Sequence, residues 1–134
     1  MEAEFVRVGK ALATNKHVTK VWMVHVGGTD ALAVAIAGAL AANPRIVDVN
    51  LETNSIGGAG IMALAAALLT TTTVEKIKLA DQKAALPTDA LVKLTEAIVA
   101  NPCTTTCTVD LREKAMIHTM GKVLFNRPEV TVLY

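Results

Sequence analysis

The sequence predicts an α/β solenoid: a right-handed stack of about four strand–helix units with an N-terminal capping helix and a short parallel sheet on its concave face. The first observation is a strand pattern, V/I-x-x-V/I-x-L/M, that begins at equal intervals along the chain, at Val18, Ile46 and Val74. The second is that the helices keep the same register. The third is a composition with 52% hydrophobic but 3% aromatic residues, which suits thin, repeated layers. Residues 1–134 are expected to form a single domain.

Three columns of apolar residues carry the repeat along the helices. Within each helix the column positions are spaced i, i+3 and i+7, which is the buried stripe of an amphipathic helix. The columns are Phe5, Ala33, Ile61 and Leu91; Val8, Ile36, Leu64 and Leu94; and Leu12, Leu40, Leu68 and Ile98. In every column the last step is longer than the first two, which places two extra residues in the loop around residues 83–86.

The individual elements follow from this register. In the best-preserved unit, residues 43–70, a strand signal at Ile46, Val49 and Leu51 leads through a turn centred on Asn54 into a helix. Helices are predicted over 3–14, 31–42, 59–69, 88–100 and 114–125, and strands over 20–24, 46–51, 75–79 and 129–134, with a degraded strand pattern at 104–109.

Helix ends are marked by specific residues. Asn43-Pro44 and Asn101-Pro102 should each end a helix, because proline disfavours helical geometry in the residue before it. Thr29 or Asp30 is expected to cap the helix that begins at residue 31.

Charge and composition exclude several classes of partner. The formal net charge is +1 and no basic run exceeds two residues, whereas nucleic acid requires a clustered basic surface. The most apolar stretch, residues 31–42, is too short to span a bilayer, and the first residues show no signal-peptide pattern. Two cysteines do not make a disulfide scaffold. We therefore expect a cytoplasmic protein that binds neither nucleic acid nor membrane.

Strand residues that alternate with the buried positions are expected to line the concave face and bind a protein partner. This predicted set comprises Lys20, Trp22, Asp48, Asn50, Glu52, Lys76 and Lys78. Lys20, Asp48 and Lys76 would form a row of alternating charge, because adjacent strands lie about 4.8 Å apart. Glu52 would lie diagonally close to Lys78.

Trp22 is the expected anchor of this surface. It is the only tryptophan in the sequence, and tryptophan is over-represented among binding hot spots. Two alternatives stay open at this point: the charges of the row serve only to keep the sheet soluble, and Trp22 belongs to the core.

Two patterns that suggest ligand binding are better explained by the repeat. The glycines of Gly57-Gly58-Ala59-Gly60 lack the spacing of a nucleotide-binding loop and suit a tight turn with close helix entry. Cys103 and Cys107, with His118 downstream, fall short of a structural zinc ligand set, and Cys107 occupies a buried strand column. No nucleophile is placed beside the histidines that flank the first strand. We therefore expect no enzyme activity, no cofactor and no metal.

The 28-residue period with the motif N-S-I-G-x-x-G at residues 54–60 resembles the ribonuclease-inhibitor class of leucine-rich repeats. The order in which successive units depart from this motif points to a narrower family. A first unit with a Thr29-Asp30 turn precedes a well-formed unit, L-E-T-N-S-I-G-G-A-G-I-M-A-L at residues 51–64, then a unit with a longer turn containing Gln82, then a decayed fourth unit. From around Ala11 to around Phe125 this order resembles the C-terminal domain of tropomodulin and leiomodin.

This resemblance implies an actin-associated domain, since tropomodulins cap the slow-growing pointed end of filaments. We therefore expect a non-enzymatic protein–protein interaction module, with actin or another cytoskeletal protein bound through the solenoid surface. The alternative is a regulatory or inhibitory scaffold that docks a partner enzyme, as ribonuclease-inhibitor-type repeats do. No sequence feature specifies an oligomeric state.

Overall fold

Helices and strands alternate in the computed structural model, which describes residues 2–110, 120–121 and 130–133. Its helices are α1 (Glu2–Thr14), α2 (Asp30–Ala42), α3 (Gly58–Leu68) and α4 (Thr88–Ala100). Its strands are β1 (Lys20–Trp22), β2 (Asp48–Asn50), β3 (Lys76–Lys78), β4 (Thr106–Thr108) and β5 (Thr131–Leu133). The strands form one sheet in the order β1-β2-β3-β4-β5, and each neighbouring pair is parallel. The predicted α/β solenoid is confirmed.

The predicted apolar columns form the core between the sheet and the helix layer. The columns of α2, α3 and α4 are buried throughout, as are the strand positions Val49, Ile77 and Cys107. On α1, Phe5 is buried but Val8 and Leu12 are half-buried. The difference arises because, among the described helices, α2 is the main neighbour of α1, so the side chains of α1 are covered from one direction.

The strands are shorter than the sequence pattern predicted. Each has three paired residues, although hydrogen bonds between units continue beyond the strands as far as the His25 and Thr53 N–H groups. His25, Thr53 and Asp81 stand at equivalent positions of three successive units and have φ angles of 56°, 58° and 61°. A non-glycine residue is uncommon in this left-handed region, so its recurrence in each of these units marks the turn as part of the repeat.

Side-chain amides link each turn to its neighbours. The Asn54 Oδ1 accepts from the backbone N–H groups of Val26 and Gly28, at 3.1 and 2.9 Å. Its Nδ2 donates to the carbonyls of Met23 and Leu51, at 2.8 and 2.9 Å. Because all these groups lie at the turns, Asn54 fastens the second unit to the first.

Gln82 takes the same place in the third unit. Its Oε1 accepts from the Ile56 N–H at 2.9 Å, and its Nε2 donates to the carbonyls of Leu51 and Leu79, both at 3.0 Å. The side chain is one methylene longer than that of asparagine, and it likewise bonds to the preceding unit and to its own.

The Asn-Pro pairs end helices as predicted, since α2 ends at Ala42 and α4 at Ala100. They also join units. The Nδ2 of Asn43 donates to the carbonyls of Leu12 and Asn15, at 2.7 and 2.8 Å. Asn101 makes the same kind of link further along the solenoid, with Leu68 and Thr71 as its acceptors.

Thr29 is the N-cap of α2 and its hydroxyl accepts from the Ala31 N–H at 3.3 Å. The predicted helix 114–125 lies outside the described residues except at Met120 and Gly121, which are helical. The final strand spans Thr131–Leu133, within the predicted 129–134. None of the helices in the described ranges is long and apolar enough to cross a membrane.

Candidate partner-binding surface

The predicted rows of the concave face exist in the observed register. Lys20 pairs with Asp48, Asp48 with Lys76, and Lys76 with Thr106. A second row, two residues further along each strand, runs Trp22, Asn50, Lys78 and Thr108. Glu52 lies just beyond the end of β2. The structure therefore brings the seven predicted residues together on one face of three adjacent strands and the turn that follows β2.

Exposure divides these residues into a raised rim and a recessed centre. Trp22 is 61% exposed, and Lys20 and Lys76 are also exposed. Asp48 and Asn50, on the strand between them, are only 6% and 7% exposed. These two residues are therefore recessed and not exposed as the alternation suggested, and their part in partner binding stays a prediction.

The expected charge row forms in register but not as ion pairs. Within the described ranges, the ion pair shorter than 4.0 Å is between Lys93 and Glu96 on the exposed face of α4, at 3.6 Å. Glu52 is not paired with Lys78 in this way, and its Oε2 accepts instead from the Thr108 hydroxyl at 2.9 Å. The Glu52 carboxylate thus links the turn after β2 to β4.

Asp48 has an unsatisfied oxygen. Its Oδ1 is buried and has no hydrogen-bond partner among the described residues. A buried polar atom without a partner costs free energy, and a carboxylate costs more than a neutral group.

Trp22 belongs to the surface, so the alternative that it is a core residue is wrong. The Lys78 ammonium lies 5.9 Å from the centroid of its ring, within the range of a cation–π contact. This contact stabilises the ring on the concave face while leaving most of it open to solvent.

An apolar patch beside Trp22 was missed in the sequence. Val24 and Val26, in the turn after β1, are 41% and 39% exposed. Their equivalents one unit later are Glu52 and Asn54, both polar. The replacement of two polar turn residues by valine in the first unit was the available signal.

The motifs that resemble ligand sites have structural explanations. The backbone N–H groups of Gly57 and Gly60 donate to the Asp30 carboxylate, so donors that could hold a phosphate are occupied by the chain itself. Cys107 is buried as predicted, and desolvation raises the pKa of its thiol to about 12. In the described part of the chain, no group of three or more His, Cys, Asp or Glu side chains is arranged to hold a metal.

Strand–helix units that repeat at a constant interval, stacked in register with side-chain amides fastening each turn to the next, define a leucine-rich-repeat solenoid. The sequence model of the TMOD/LMOD leucine-rich domain matches residues 2–130, and the chain belongs to this family.

Curated relatives agree with this assignment. Mouse (Mus musculus) leiomodin-3 is 29% identical over 91 residues, which cover 68% of this chain and 16% of leiomodin-3. Mouse leiomodin-2 is 35% identical over 77 residues, which cover 58% of this chain and 14% of leiomodin-2. The chain thus spans 14% to 16% of the length of these relatives.

Solved structures show the same fold. Actin-binding site 2 of leiomodin-1 superposes with a TM-score of 0.83 at 25% identity, covering 93% of this chain and 72% of that one. The tropomodulin C-terminal domain of Caenorhabditis elegans superposes with a TM-score of 0.80 at 17% identity, covering 93% and 75%. The second likeness concerns the fold alone.

Proposed function

We propose that this chain is a non-enzymatic protein-binding domain that engages actin, or another cytoskeletal protein, through its concave face. In this proposal residues 1–134 form one domain, which lies in the cytoplasm in association with the cytoskeleton. Membership of the TMOD/LMOD family supports a protein-interaction role. The similar segment of leiomodin-1 is named an actin-binding site, which supports actin as the partner.

The observation that carries the proposal is the exposure of Trp22. A large aromatic side chain that is 61% exposed offers a wide apolar area on the concave face, and burying it against a partner is favourable. The lysines beside it attract acidic surfaces. The face thus combines an anchor with polar groups that fix orientation.

The first experiment measures actin binding directly. Co-sedimentation with filaments, gel filtration with monomeric actin and depolymerisation of pyrene-labelled filaments at pointed ends together cover the forms of actin. We expect binding in at least one of them at micromolar protein. Absence of binding in all three would overturn the actin version of the proposal.

Concave-face variants then locate the site. Trp22→Ala and the pair Lys20→Glu/Lys76→Glu should each weaken partner binding by about tenfold or more, which corresponds to about 1.4 kcal/mol. The melting temperature should change little, because these side chains are exposed.

A charge-matched control comes from the helix layer. Arg7→Glu/Lys93→Glu makes the same change of net charge on α1 and α4, away from the concave face. It should leave the affinity within about twofold of the parent, since screened surface charges far from a site contribute little. Equal losses in both double variants would show that the concave face is not the site.

A further inference from the structure

The N-terminal end of the sheet exposes a strand edge. β1 is one of the two outermost strands, and among the described residues β2 is the one strand that pairs with it. The backbone of β1 bonds to β2 through alternate residues: the Met23 N–H donates to the Asn50 carbonyl at 2.9 Å, and the His25 N–H to the Glu52 carbonyl at 3.3 Å.

The repeat shows where the other backbone groups point. The carbonyls of Asn50 and Glu52 accept these bonds from the preceding unit. The residues at the equivalent positions of the first unit are Trp22 and Val24. In a parallel sheet, alternate residues face opposite neighbours. The carbonyls of Trp22 and Val24 therefore face the open edge, in the place where a preceding strand would donate to them.

The side chains of this edge have little of the protection that natural edges carry. Exposed edges are commonly blunted by charges, prolines or bulges. Among the three residues of β1, Lys20 alone is charged, and it is followed by the exposed Trp22 and Val24. An additional strand would cover both apolar side chains and satisfy the edge backbone.

The charges in the row of Lys20 indicate which side chain the added strand would place beside this lysine. Lys20 is followed across the sheet by Asp48 and then by Lys76. A carboxylate on the open side of Lys20 would extend this alternation of charge by one position, at the spacing of about 4.8 Å between neighbouring strands. A bulky apolar residue fits the row of Trp22, two residues further along.

We propose that an extended segment of a partner protein adds to β1 as a parallel strand, with a carboxylate beside Lys20 and a bulky apolar residue two positions later beside Trp22. Main-chain hydrogen bonds provide the affinity of such strand addition, and alternate side chains provide the specificity. This inference rests on the proposed protein-binding function and names both the mode of binding and the chemistry of the partner.

A blocked synthetic peptide, TVDVYVT, is the probe. Its aspartate takes the row of Lys20 and its tyrosine the row of Trp22. The fluorescence of Trp22, the only tryptophan of the chain, reports binding without a label. A saturable change on titration is expected, and a featureless titration up to millimolar peptide would overturn the inference.

Methylation of peptide nitrogens tests the hydrogen-bonding pattern. N-methyl groups on the two valines that flank the tyrosine remove N–H groups that would face β1, and should lower affinity by about tenfold or more. N-methyl groups on the aspartate and the tyrosine modify nitrogens that face away, and should change affinity by less than about threefold. Equal effects of the two modifications would rule out strand addition.

Charge exchange and sequence reversal test the register and direction. Lys20→Glu should weaken binding of the probe, and replacement of the peptide aspartate by lysine should restore it in that variant. The reversed peptide TVYVDVT should bind more weakly to the parent protein. If it binds equally well, the parallel register is overturned.

Two further measurements separate this inference from its alternatives. Lys76→Glu lies two strands away, so it should weaken a concave-face partner but leave the affinity for the peptide unchanged. If the parent protein binds actin but not the peptide, strand addition is overturned and the proposed function stands. If it binds the peptide but not actin, the actin version of the proposed function is overturned and strand addition stands. Analytical ultracentrifugation tests the remaining alternative. A dimer that dissociates when the peptide is added would show that a second copy of the chain occupies the β1 edge, and would overturn the proposal that a partner protein does so.

Discussion

Asp30 is the first residue of α2, yet its carboxylate caps α3 at Gly57. Its Oδ1 accepts from the Gly57 N–H at 2.7 Å and from the Gly60 N–H at 3.0 Å. Gly57 is the N-cap of α3 and has no side chain with which to satisfy these donors. Because the first N–H groups of a helix lack partners within the helix and carry a partial positive charge, a carboxylate there is stabilising. Asp30 thereby fastens the second unit of the solenoid to the first.

Removing this cap should destabilise the fold. We expect Asp30→Ala to lower the free energy of unfolding by about 1–2 kcal/mol, and Asp30→Asn to lower it less, because an amide oxygen still accepts. Urea unfolding followed by circular dichroism measures the difference. Asp89→Ala, at an exposed position in the first turn of α4, is the control and should cost less than about 0.5 kcal/mol. Equal losses at the two sites would contradict the inter-unit cap.

Two glycines should respond to alanine with opposite signs. A Cβ at Gly60 would lie 2.7 Å from the Asp30 Oδ1 and 2.8 Å from the Ala33 Cβ, so Gly60→Ala should cost about 1–3 kcal/mol. A Cβ at Gly38 meets no atom within 4 Å, and this glycine lies inside α2. Gly38→Ala should therefore stabilise by roughly 0.5–1 kcal/mol through helix propensity. Thermal unfolding of the two variants checks the signs, and stabilisation by Gly60→Ala would refute the close approach of α2 and α3.

Asn54 should be among the most sensitive polar positions. Asn54→Ala would leave the Gly28 N–H, the Val26 N–H and the Met23 carbonyl without the partner they now have; the first of these bonds is buried and the other two are partly buried. Since each unsatisfied buried group costs about 1–3 kcal/mol, we expect a loss of about 3 kcal/mol or more. Chemical denaturation provides the measurement. Ser55→Ala, at the neighbouring half-buried position, should change stability by less than about 0.5 kcal/mol; a similar loss there would show that the turn and not the amide is responsible.

The burial of Cys107 predicts a loss of stability at high pH. Its thiol has a pKa of about 12 in the folded protein, raised by desolvation from 9.0. Below pH 9 the thiol is protonated in both states, whereas between pH 9 and 12 only the unfolded chain releases the proton. The free energy of unfolding should therefore fall by about 1.4 kcal/mol per pH unit in that window. Urea unfolding at pH 8 and pH 10.5, compared with Cys107→Val, isolates this contribution, because the variant lacks the ionising group. Equal slopes for parent and variant would contradict it.

Much of the architecture could be predicted because the same pattern occurs several times. A single copy of residues 43–70 resembles a glycine-rich ligand loop, but copies at 28-residue steps identify it as a structural unit. The burial of Cys107 followed from its place in the column of Val49 and Ile77, and α4 begins and ends at the predicted residues. Apolar periodicity is reliable here because each buried column is sampled in several units.

Other features could not be obtained from the pattern. Nothing in the sequence around Asp30 shows that its carboxylate reaches a helix 27 residues later and not its own. Asp48 and Lys20 are both polar strand residues, yet one is buried and the other exposed, because exposure depends on the side chains of adjacent strands. His25, Thr53 and Asp81 adopt positive φ angles although none of these residues is glycine, so the turn conformation could not be read from residue type.

The amino-acid sequence alone is enough to define the register of the units and most residues of the core, since repeated apolar spacing leaves one arrangement that buries the columns of α2, α3 and α4. The tertiary structure alone decided which polar residues join the units and which remain free to bind. Hydrogen bonds such as those of Asp30 and Asn54 connect residues far apart in the sequence, so only stacking brings their partners together. The same stacking buries Asp48 between neighbours and leaves Trp22 open at the end of the sheet.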